Sequence, residues 1–527
     1  MHCVVGSGPS GIACAQALLD KGLEVRMLDA GLKLEAPRAQ AVEQLGASAP
    51  AGWDPKLVAM LKGELAAGPG GLPQKLSFGS DFPYRDGEKL LNCTFDGVGL
   101  RPSLAQGGLS NVWGAAMLPY LDADLDGWPI KNGELAGHYA AVLKMTGVAA
   151  RRDDLAAMFP LYTDEPGELE LSRQARTLLG NMDRNKTALR ESGIHHGVSR
   201  VAVKARRSPR DTGCVYCGMC MHGCPYGYIY NSAATLRELE RNPRFTYQPD
   251  AIVTSLVEND EAVTIHSRNR LTGGEQTTVA SRVYLAAGVI PTTKLLLESR
   301  RDFDRTLWMK DSQYFLIPLL FARRTRGVRQ EALHTLSQLF LEILDPAVSP
   351  HTVHLQIYTY SNLIYDAVRH ALRRFKMSFN FLTSSLEERL VVAQGFLHSD
   401  DSSKIAVTLR QSPDVRLELK AEINPRARAT VRKVTGKLMR NAWRLGAAPV
   451  LPMVHVAEPG RSYHGGGTLP MRQEPGPFES DTLGRPHGWR RVHAVDATIL
   501  PGIPATTITL SVMANAHRIG WESASLT

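Results

Sequence analysis

Four of the seven cysteines fall within eleven residues, Cys214-Val-Tyr-Cys217-Gly-Met-Cys220-Met-His-Gly-Cys224, with Pro225 next. Thiolates at this C-x2-C-x2-C-x3-C-P spacing hold an iron–sulfur cluster in bacterial ferredoxins, where such a centre takes one electron at a time. In two-cluster ferredoxins the fourth cysteine serves the other cluster, and no second run exists here. Cys224 therefore either closes a [4Fe-4S] cluster or leaves three thiolates for a [3Fe-4S] one, with Cys93 the distant cysteine that could substitute. Zinc also accepts tetrahedral thiolates, although paired knuckles normally stand a dozen or more residues apart. Structural thiols are the third reading. Disulfides between such near neighbours would be strained. Cys3 and Cys14 fall in a predicted strand and helix, where a free thiol acts as a small hydrophobe.

A second chemical run lies at the N-terminus. Residues 2–5 read as a short strand, followed by Gly6-Ser-Gly8-Pro-Ser-Gly11, a helical pattern from Ile12 to Lys21, and a strand from Leu23 to Leu28 ending at Asp29. This is a βαβ unit with the dinucleotide fingerprint. Gly6, Gly8 and Gly11 allow a tight turn and close backbone approach to a pyrophosphate at the helix N-terminus, and Asp29 would accept from a ribose hydroxyl.

The elements that position these runs follow from pattern. Arg282 to Gly288 reads as a strand of the same sheet, with a helix from Thr292 to Ser299 after it. Before it, Phe245 to Val257 and Glu261 to Arg268 read as strands of a three-stranded insertion. Residues 303–461 alternate strands (Val353 to Tyr360, Leu390 to Leu397, Lys404 to Leu409, Val415 to Ile423) with amphipathic helices at Asn362 to Phe375 and Pro425 to Leu445. That mixture predicts an antiparallel sheet with helices on one face. The fold class is thus α/β: a discontinuous Rossmann-like domain (1–125, 195–302 and 462–527, carrying the cysteine loop 212–226) and an α+β substrate domain (126–194 and 303–461).

Composition adds exclusions. The chain has 527 residues, 43% hydrophobic and 21% charged, enough for two or three cores. Apolar runs such as Tyr314 to Ala322 are too short to span a bilayer. No basic region, apolar core and cleavage site open the sequence, so the expected compartment is the cytoplasm, which also suits thiolates. The net charge of +9 has no aromatic interleaving, which disfavours nucleic acid. Arg200, Lys204, Arg206, Arg207 and Arg210 stand just before Cys214 and predict either a docking patch for an acidic electron carrier or a solvated loop.

The last seventy residues carry Ser462-Tyr-His464-Gly-Gly-Gly467-Thr468, then Val492-His-Ala-Val-Asp496-Ala497-Thr-Ile-Leu-Pro501, then a helical run from Thr509 to Ile519. Together with Gly107-Gly108-Leu-Ser110-Asn111-Val-Trp113-Gly114, Asp126-Gly-Trp128-Pro-Ile130 and Leu285-Ala-Ala-Gly288, they resemble the glucose–methanol–choline oxidoreductase family. The likeness spans most of the chain and is weakest inside 303–461. It implies FAD held by the first glycine loop, by Gly107, Gly108, Ser110, Asn111 and Trp113, and by Asp496 and Ala497. It also implies oxidation of a CH–OH group. The family's first active-site histidine falls on His464, a suitable general base. Its second position, usually His or Asn, falls on Thr507, which can donate a hydrogen bond but not a positive charge. Members that tether FAD covalently use a histidine where this chain has Val112, so FAD is expected to be non-covalent.

Combined with the cysteine run, the resemblance points to an iron–sulfur branch of the family. The expected enzyme is a dehydrogenase of a sugar or other alcohol, passing electrons to a ferredoxin, cytochrome or quinone. Three alternatives stand beside it: a redox-neutral epimerase or dehydratase, an FAD oxidase with structural zinc at the cysteines, and a non-catalytic flavoprotein.

Overall fold

Short apolar runs that alternate with glycine-bounded helices build the central sheet. Its five parallel strands lie in the order Val492–Ala494, Arg282–Leu285, His2–Val5, Val25–Leu28 and Phe245–Gln248. The computed structural model describes residues 1–63, 74–206, 211–361, 386–412 and 414–526. The predicted helix Asn362 to Phe375 lies outside them, as do Arg207 and Arg210. Among the described residues, no helix is long and apolar enough to cross a membrane.

The first helix, Pro9–Asp20, begins with proline at its N-terminus, where the missing N–H costs nothing. It packs on the C-terminal helix Thr509–Ser523 so closely that a Cβ at Gly520 would lie 2.9 Å from the Cys14 carbonyl oxygen. Cys3 and Cys14 are buried. The predicted strand Phe245 to Val257 is two strands in the structure. Pro249 and Asp250, the latter at φ 58°, turn the chain between the sheet strand Phe245–Gln248 and the insertion strand Ala251–Glu258. The insertion itself is three-stranded, as expected.

The larger antiparallel sheet runs Ala447–Pro449, Tyr314–Phe321, Leu390–Phe396, Val353–Tyr358, Leu339–Ile343, Ile194–Val198, with His455–Val456 also on Tyr314–Phe321. Several elements pack across the division expected from sequence. Strand Ile194–Val198 forms the edge of this antiparallel sheet through its pairing with Leu339–Ile343. Helix Asn132–Thr146 packs on the C-terminal helix, with the Tyr139 hydroxyl 2.9 Å from Ser511 Oγ. Strands Thr306–Asp311, Lys404–Arg410 and Arg416–Glu422 form a separate mixed sheet with Cys93–Asp96 and Gly465–Gly466. Their apolar faces share one core with Cys3, Leu28 and Val283. Burial partners, which periodicity does not specify, decide these placements.

Candidate functional site

The first glycine loop has two kinds of glycine. Gly6 sits at φ +104°, where a Cβ would lie 2.5 Å from the Ala286 carbonyl oxygen, and a Cβ on Gly11 would lie 2.0 Å from the Gly6 carbonyl oxygen. Both are demanded by the chain itself. Gly8 has an ordinary φ of −64°, and a Cβ there meets nothing nearer than 4.0 Å. Only a group lying against the loop from outside the chain calls for glycine at position 8. The helix N-terminus behind it favours an anion, so the cradle fits a pyrophosphate.

Asp29 lies at the end of Val25–Leu28, buried. It accepts from Ser7 Oγ at 2.5 Å and from the Tyr247 hydroxyl at 3.0 Å. Burial pushes its carboxyl up to about 6, against the pull of these bonds. Ser7 Oγ also accepts from the Gly107 N–H at 2.9 Å. The expected ribose acceptor therefore ties the first glycine loop to the second. In that second loop Gly107 and Gly108 have φ of +82° and +54°, and a Cβ on Gly108 would lie 3.3 Å from the Gly8 Cα. Ser110 Oγ donates to the Gly107 carbonyl at 2.6 Å, Asn111 Nδ2 to the Gly108 carbonyl at 2.7 Å, and Trp113 Nε1 to the Tyr230 carbonyl at 2.9 Å. These three side chains shape the loop and leave its backbone to face Gly8.

His464 precedes Gly465–Gly466, whose Gly465 pairs with Asp311. The buried Asp311 carboxylate accepts from Ser462 Oγ at 3.0 Å, and Ser462 Oγ accepts from the His464 N–H at 2.9 Å. The imidazole stacks on Phe396 with centroids 4.8 Å apart. Its Nδ1 is shielded and has no partner, although the residue as a whole keeps partial exposure. Burial, then the neighbouring His354, push its pKa down to about 3, so the ring is neutral at pH 7. The Gly467 N–H donates to the Ala497 carbonyl at 2.9 Å, pinning the His464 loop beside Asp496. Asp496 uses both oxygens within the chain: Oδ2 accepts from the Gly288 N–H at 2.9 Å and Thr292 Oγ1 at 2.6 Å, and Oδ1 accepts from the Thr498 N–H and hydroxyl. Just before the C-terminal helix, Thr506 and Thr507 bury hydroxyls that have no partner. Buried polar atoms without a partner call for an explanation, and a ligand atom is one of those that would supply it.

One row escaped the sequence reading. His354, Gln356 and Tyr358 alternate with apolar residues on a strand, so they share one face. Glu342 Oε1 lies 2.7 Å from His354 Nδ1, His354 Nε2 lies 3.2 Å from Gln356 Nε2, and the Tyr358 hydroxyl donates to Gln356 Oε1 at 3.1 Å. Phe396 lies between His354 and His464, stacking on both. The polar alternation inside a wholly buried strand was the available signal.

The four clustered cysteines ring one small cavity, closed by Tyr226, Tyr228, His334 and Leu336. Backbone N–H groups point at two sulfurs, Tyr228 to Cys224 Sγ at 3.3 Å and Thr335 to Cys220 Sγ at 3.4 Å. Burial and mutual repulsion push the Cys214 thiol up to about 12 and Cys217 up to about 11, so a positive centre is needed to keep several of them as thiolates. A single zinc ion at Zn–S 2.3 Å draws its thiolates to about 3.8 Å from one another. Among the described residues, no three of these sulfurs lie within 4.8 Å of one another. Cys93 lies elsewhere, on strand Cys93–Asp96 in a different core, and cannot substitute as a ligand. Arg200 is also removed from the expected docking patch: it is buried, with Nη1 donating to the Phe159 carbonyl. Lys204 and Arg206 remain exposed.

A further group, His351, His398 and Asp400, brings its ligand atoms within 4.8 Å of one another. The two rings stack face to face at 3.7 Å and 17°, and His398 Nδ1 accepts from the Asp400 N–H at 3.2 Å. Their lone pairs run in parallel planes, which suits an imidazole stack better than a shared cation.

No family model matches the chain. A 6'''-hydroxyparomomycin C oxidase from Streptomyces lividus is 24% identical, over 99% of this chain and 91% of that protein. Pyridoxine 4-oxidase from Mesorbium loti superposes with a TM-score of 0.60 at 15% identity, covering 99% of this chain and 98% of that one. A formate oxidase variant from Aspergillus oryzae superposes at 0.58 and 14%, covering 98% and 97%. The fold is that of the glucose–methanol–choline oxidoreductases, as the sequence motifs implied.

Proposed function

We propose that this chain is an FAD-dependent dehydrogenase of a CH–OH group in a sugar or other alcohol, with His464 as base and an iron–sulfur exit to an external carrier. The observation that carries the reading is His464: a neutral imidazole with an unpartnered, shielded nitrogen, on a loop pinned to the same segment that leads into Thr507. The cradle of Gly6, Gly8, Gly11, Gly107 and Gly108 fits FAD, which when bound supplies the hydride acceptor at its N5. The alcohol loses its C–H hydrogen as hydride and its O–H hydrogen as a proton, leaving a carbonyl. His464 takes that proton on an imidazole nitrogen; burial keeps the ring unprotonated before the step and disfavours the charged form it becomes, so the bound alcohol and flavin must offset that cost. The Thr507 hydroxyl donates a hydrogen bond to the alcohol oxygen as charge develops there.

Cys214, Cys217, Cys220 and Cys224 would hold a [4Fe-4S] or [3Fe-4S] cluster, which supplies a one-electron exit to a ferredoxin, cytochrome or quinone. The gathering of all four sulfurs around one cavity and the two backbone donors support a thiolate-held centre there. Protein purified without oxygen should contain iron and a broad absorbance near ~400 nm beside the flavin bands. An alcohol of the right class should then bleach the flavin in a single turnover. Zinc without iron, or an unbleached flavin across a broad panel of sugars and alcohols, would overturn the reading.

A second reading draws on the named relatives, which are all oxidases. In it electrons pass to oxygen and the cysteines hold structural zinc. Hydrogen peroxide formed one-to-one with product in air, from iron-free protein, would select it.

A further inference from the structure

The chain from Leu333 to Leu336 lies along the cysteine loop and closes its cavity. Leu333 forms a backbone bridge with Cys217. The Thr335 N–H points at Cys220 Sγ at 3.4 Å, and the Thr335 hydroxyl donates to the Gly218 carbonyl at 3.3 Å. His334 stands between these two ties, 3% exposed, and lines the cavity together with the four cysteines. Its Nδ1 is buried and has no partner in the chain. The same residue also lines a second, inner cavity beside Ser199 and Ser337, whose buried hydroxyls are unbonded as well. Ser337 Oγ lies near the Tyr358 hydroxyl without bonding geometry, and that hydroxyl donates to Gln356. The imidazole is thus a wall with hydroxyls on one side and sulfurs on the other. Hydroxyls donate as well as accept, whereas thiolates only accept. A single imidazole N–H satisfies both sides only when the lone pair faces the hydroxyls, directly or through a water, and the N–H faces the sulfurs.

We propose that His334 donates an imidazole N–H to the cysteine-held centre, adding to the backbone donors of Thr335 and Tyr228, and so tunes its reduction potential. The proposal rests on the iron–sulfur reading of Cys214, Cys217, Cys220 and Cys224. A hydrogen bond to a cluster sulfur strengthens when the cluster holds its extra electron, because the sulfur is then more negative. His334 therefore raises the potential of the centre and takes no part in the chemistry at the alcohol.

The test uses anaerobically purified holoenzyme of wild type, of His334→Phe, which keeps a flat ring without nitrogen, and of His334→Gln, which keeps an N–H. The readouts are iron content, a redox titration followed by EPR, and pulsed EPR of protein carrying isotopically labelled histidine nitrogen. Wild type without iron overturns the iron–sulfur reading and this inference together. With iron present, the inference is judged by itself. His334→Phe should make the cluster at least about tenfold harder to reduce, equivalent to about 59 mV for one electron, and should abolish a weak coupling of histidine nitrogen to the cluster. His334→Gln should lose the same coupling and keep a potential nearer to wild type than to His334→Phe. An unchanged potential in an iron-replete His334→Phe overturns the inference while the cluster reading stands. A nitrogen coupling that survives both substitutions, or one strong enough for direct ligation to iron, overturns it too. If His334→Phe does not hold iron, His334→Gln decides: loss of the coupling at a near-wild-type potential supports the donor, and a retained coupling or a potential lowered tenfold overturns it.

Discussion

The glycine loop and the cysteine loop are both short runs with chemical spacing, yet the chain completes them in different ways. The glycine site is built of backbone. Its glycines clear room beside backbone, that of Gly6 within the loop and that of Ala286 just after the neighbouring strand Arg282–Leu285, and the Gly107–Gly108 turn closes it. The cysteine site is built of side chains on a loop that cannot close by itself. Its walls come from Tyr226 and Tyr228 just downstream and from His334 and Leu336, and Thr335 reaches Cys220 across 115 residues of sequence. Both sites draw on distant chain, but on different parts of it: the glycine cradle meets backbone, at the Ala286 carbonyl and the Gly107–Gly108 turn, whereas the cysteine cavity needs side-chain walls, because burying four sulfurs takes surfaces that one loop does not have.

The largest effects separate two glycines of the same loop. Gly11→Val should prevent folding of the loop, since its Cβ would lie 2.0 Å from the Gly6 carbonyl oxygen. Gly8→Val should fold, because nothing in the chain lies within 4 Å of its Cβ other than Ala286 at that limit, and yet should purify without FAD. Equal thermal stability of the two variants, or normal FAD content in Gly8→Val, would erase the distinction.

Next in size, His464→Ala should slow single-turnover flavin reduction by about 10²-fold or more while FAD content and iron content hold. Stopped-flow absorbance would measure it, and an unchanged rate would move the base elsewhere. Cys217→Ser sharpens the contrast from the other side. Flavin reduction by substrate should persist, whereas steady-state transfer to a protein acceptor should be lost. A small dye would still be reduced. Full turnover with the protein acceptor would remove the cysteine cavity from the path.

The pH dependence follows from the direction of the His464 shift. The neutral ring is the active form, and its pKa is depressed to about 3. It therefore stays active as pH falls through 6.5, the ordinary histidine value, and is lost only as pH nears the depressed one. The acidic limb of the flavin-reduction rate should lie well below pH 6. A limb centred near 6.5 would contradict the buried environment. The smallest effect belongs to Ser7→Ala. It removes the bond to Asp29 and the acceptor of the Gly107 N–H, and should cost about 1–3 kcal/mol in thermal or denaturant unfolding, with FAD retained.

Much of this site was legible in the sequence. Gly6, Gly8, Gly11 and the strands around them follow from one fingerprint, and the cysteine run from another. His464 was legible only through resemblance, because a histidine in a glycine loop has no periodicity of its own. Asp29 and Asp496 were legible as residues but not as partners. Each spends its carboxylate on neighbours inside the chain, Ser7 and Tyr247 for one, Gly288, Thr292 and Thr498 for the other. Arg200 looked like surface because it stands in a basic run, and the edge strand Ile194–Val198 carries the chain inward just before it.

What the amino-acid order determined by itself is whatever depends on neighbours along the chain: the βαβ unit, the turn in which Gly11 must clear the Gly6 carbonyl, the four thiols on one loop, and the alternation that places His354, Gln356 and Tyr358 on one face. The tertiary structure alone decided which distant groups share a dielectric. It set the neutral His464 against Phe396 and His354, closed the cysteine cavity with His334, and brought the Lys75 ammonium onto the Trp113 carbonyl. Charge and burial act through space, and spacing in sequence does not encode the distance between residues that many turns of chain keep apart.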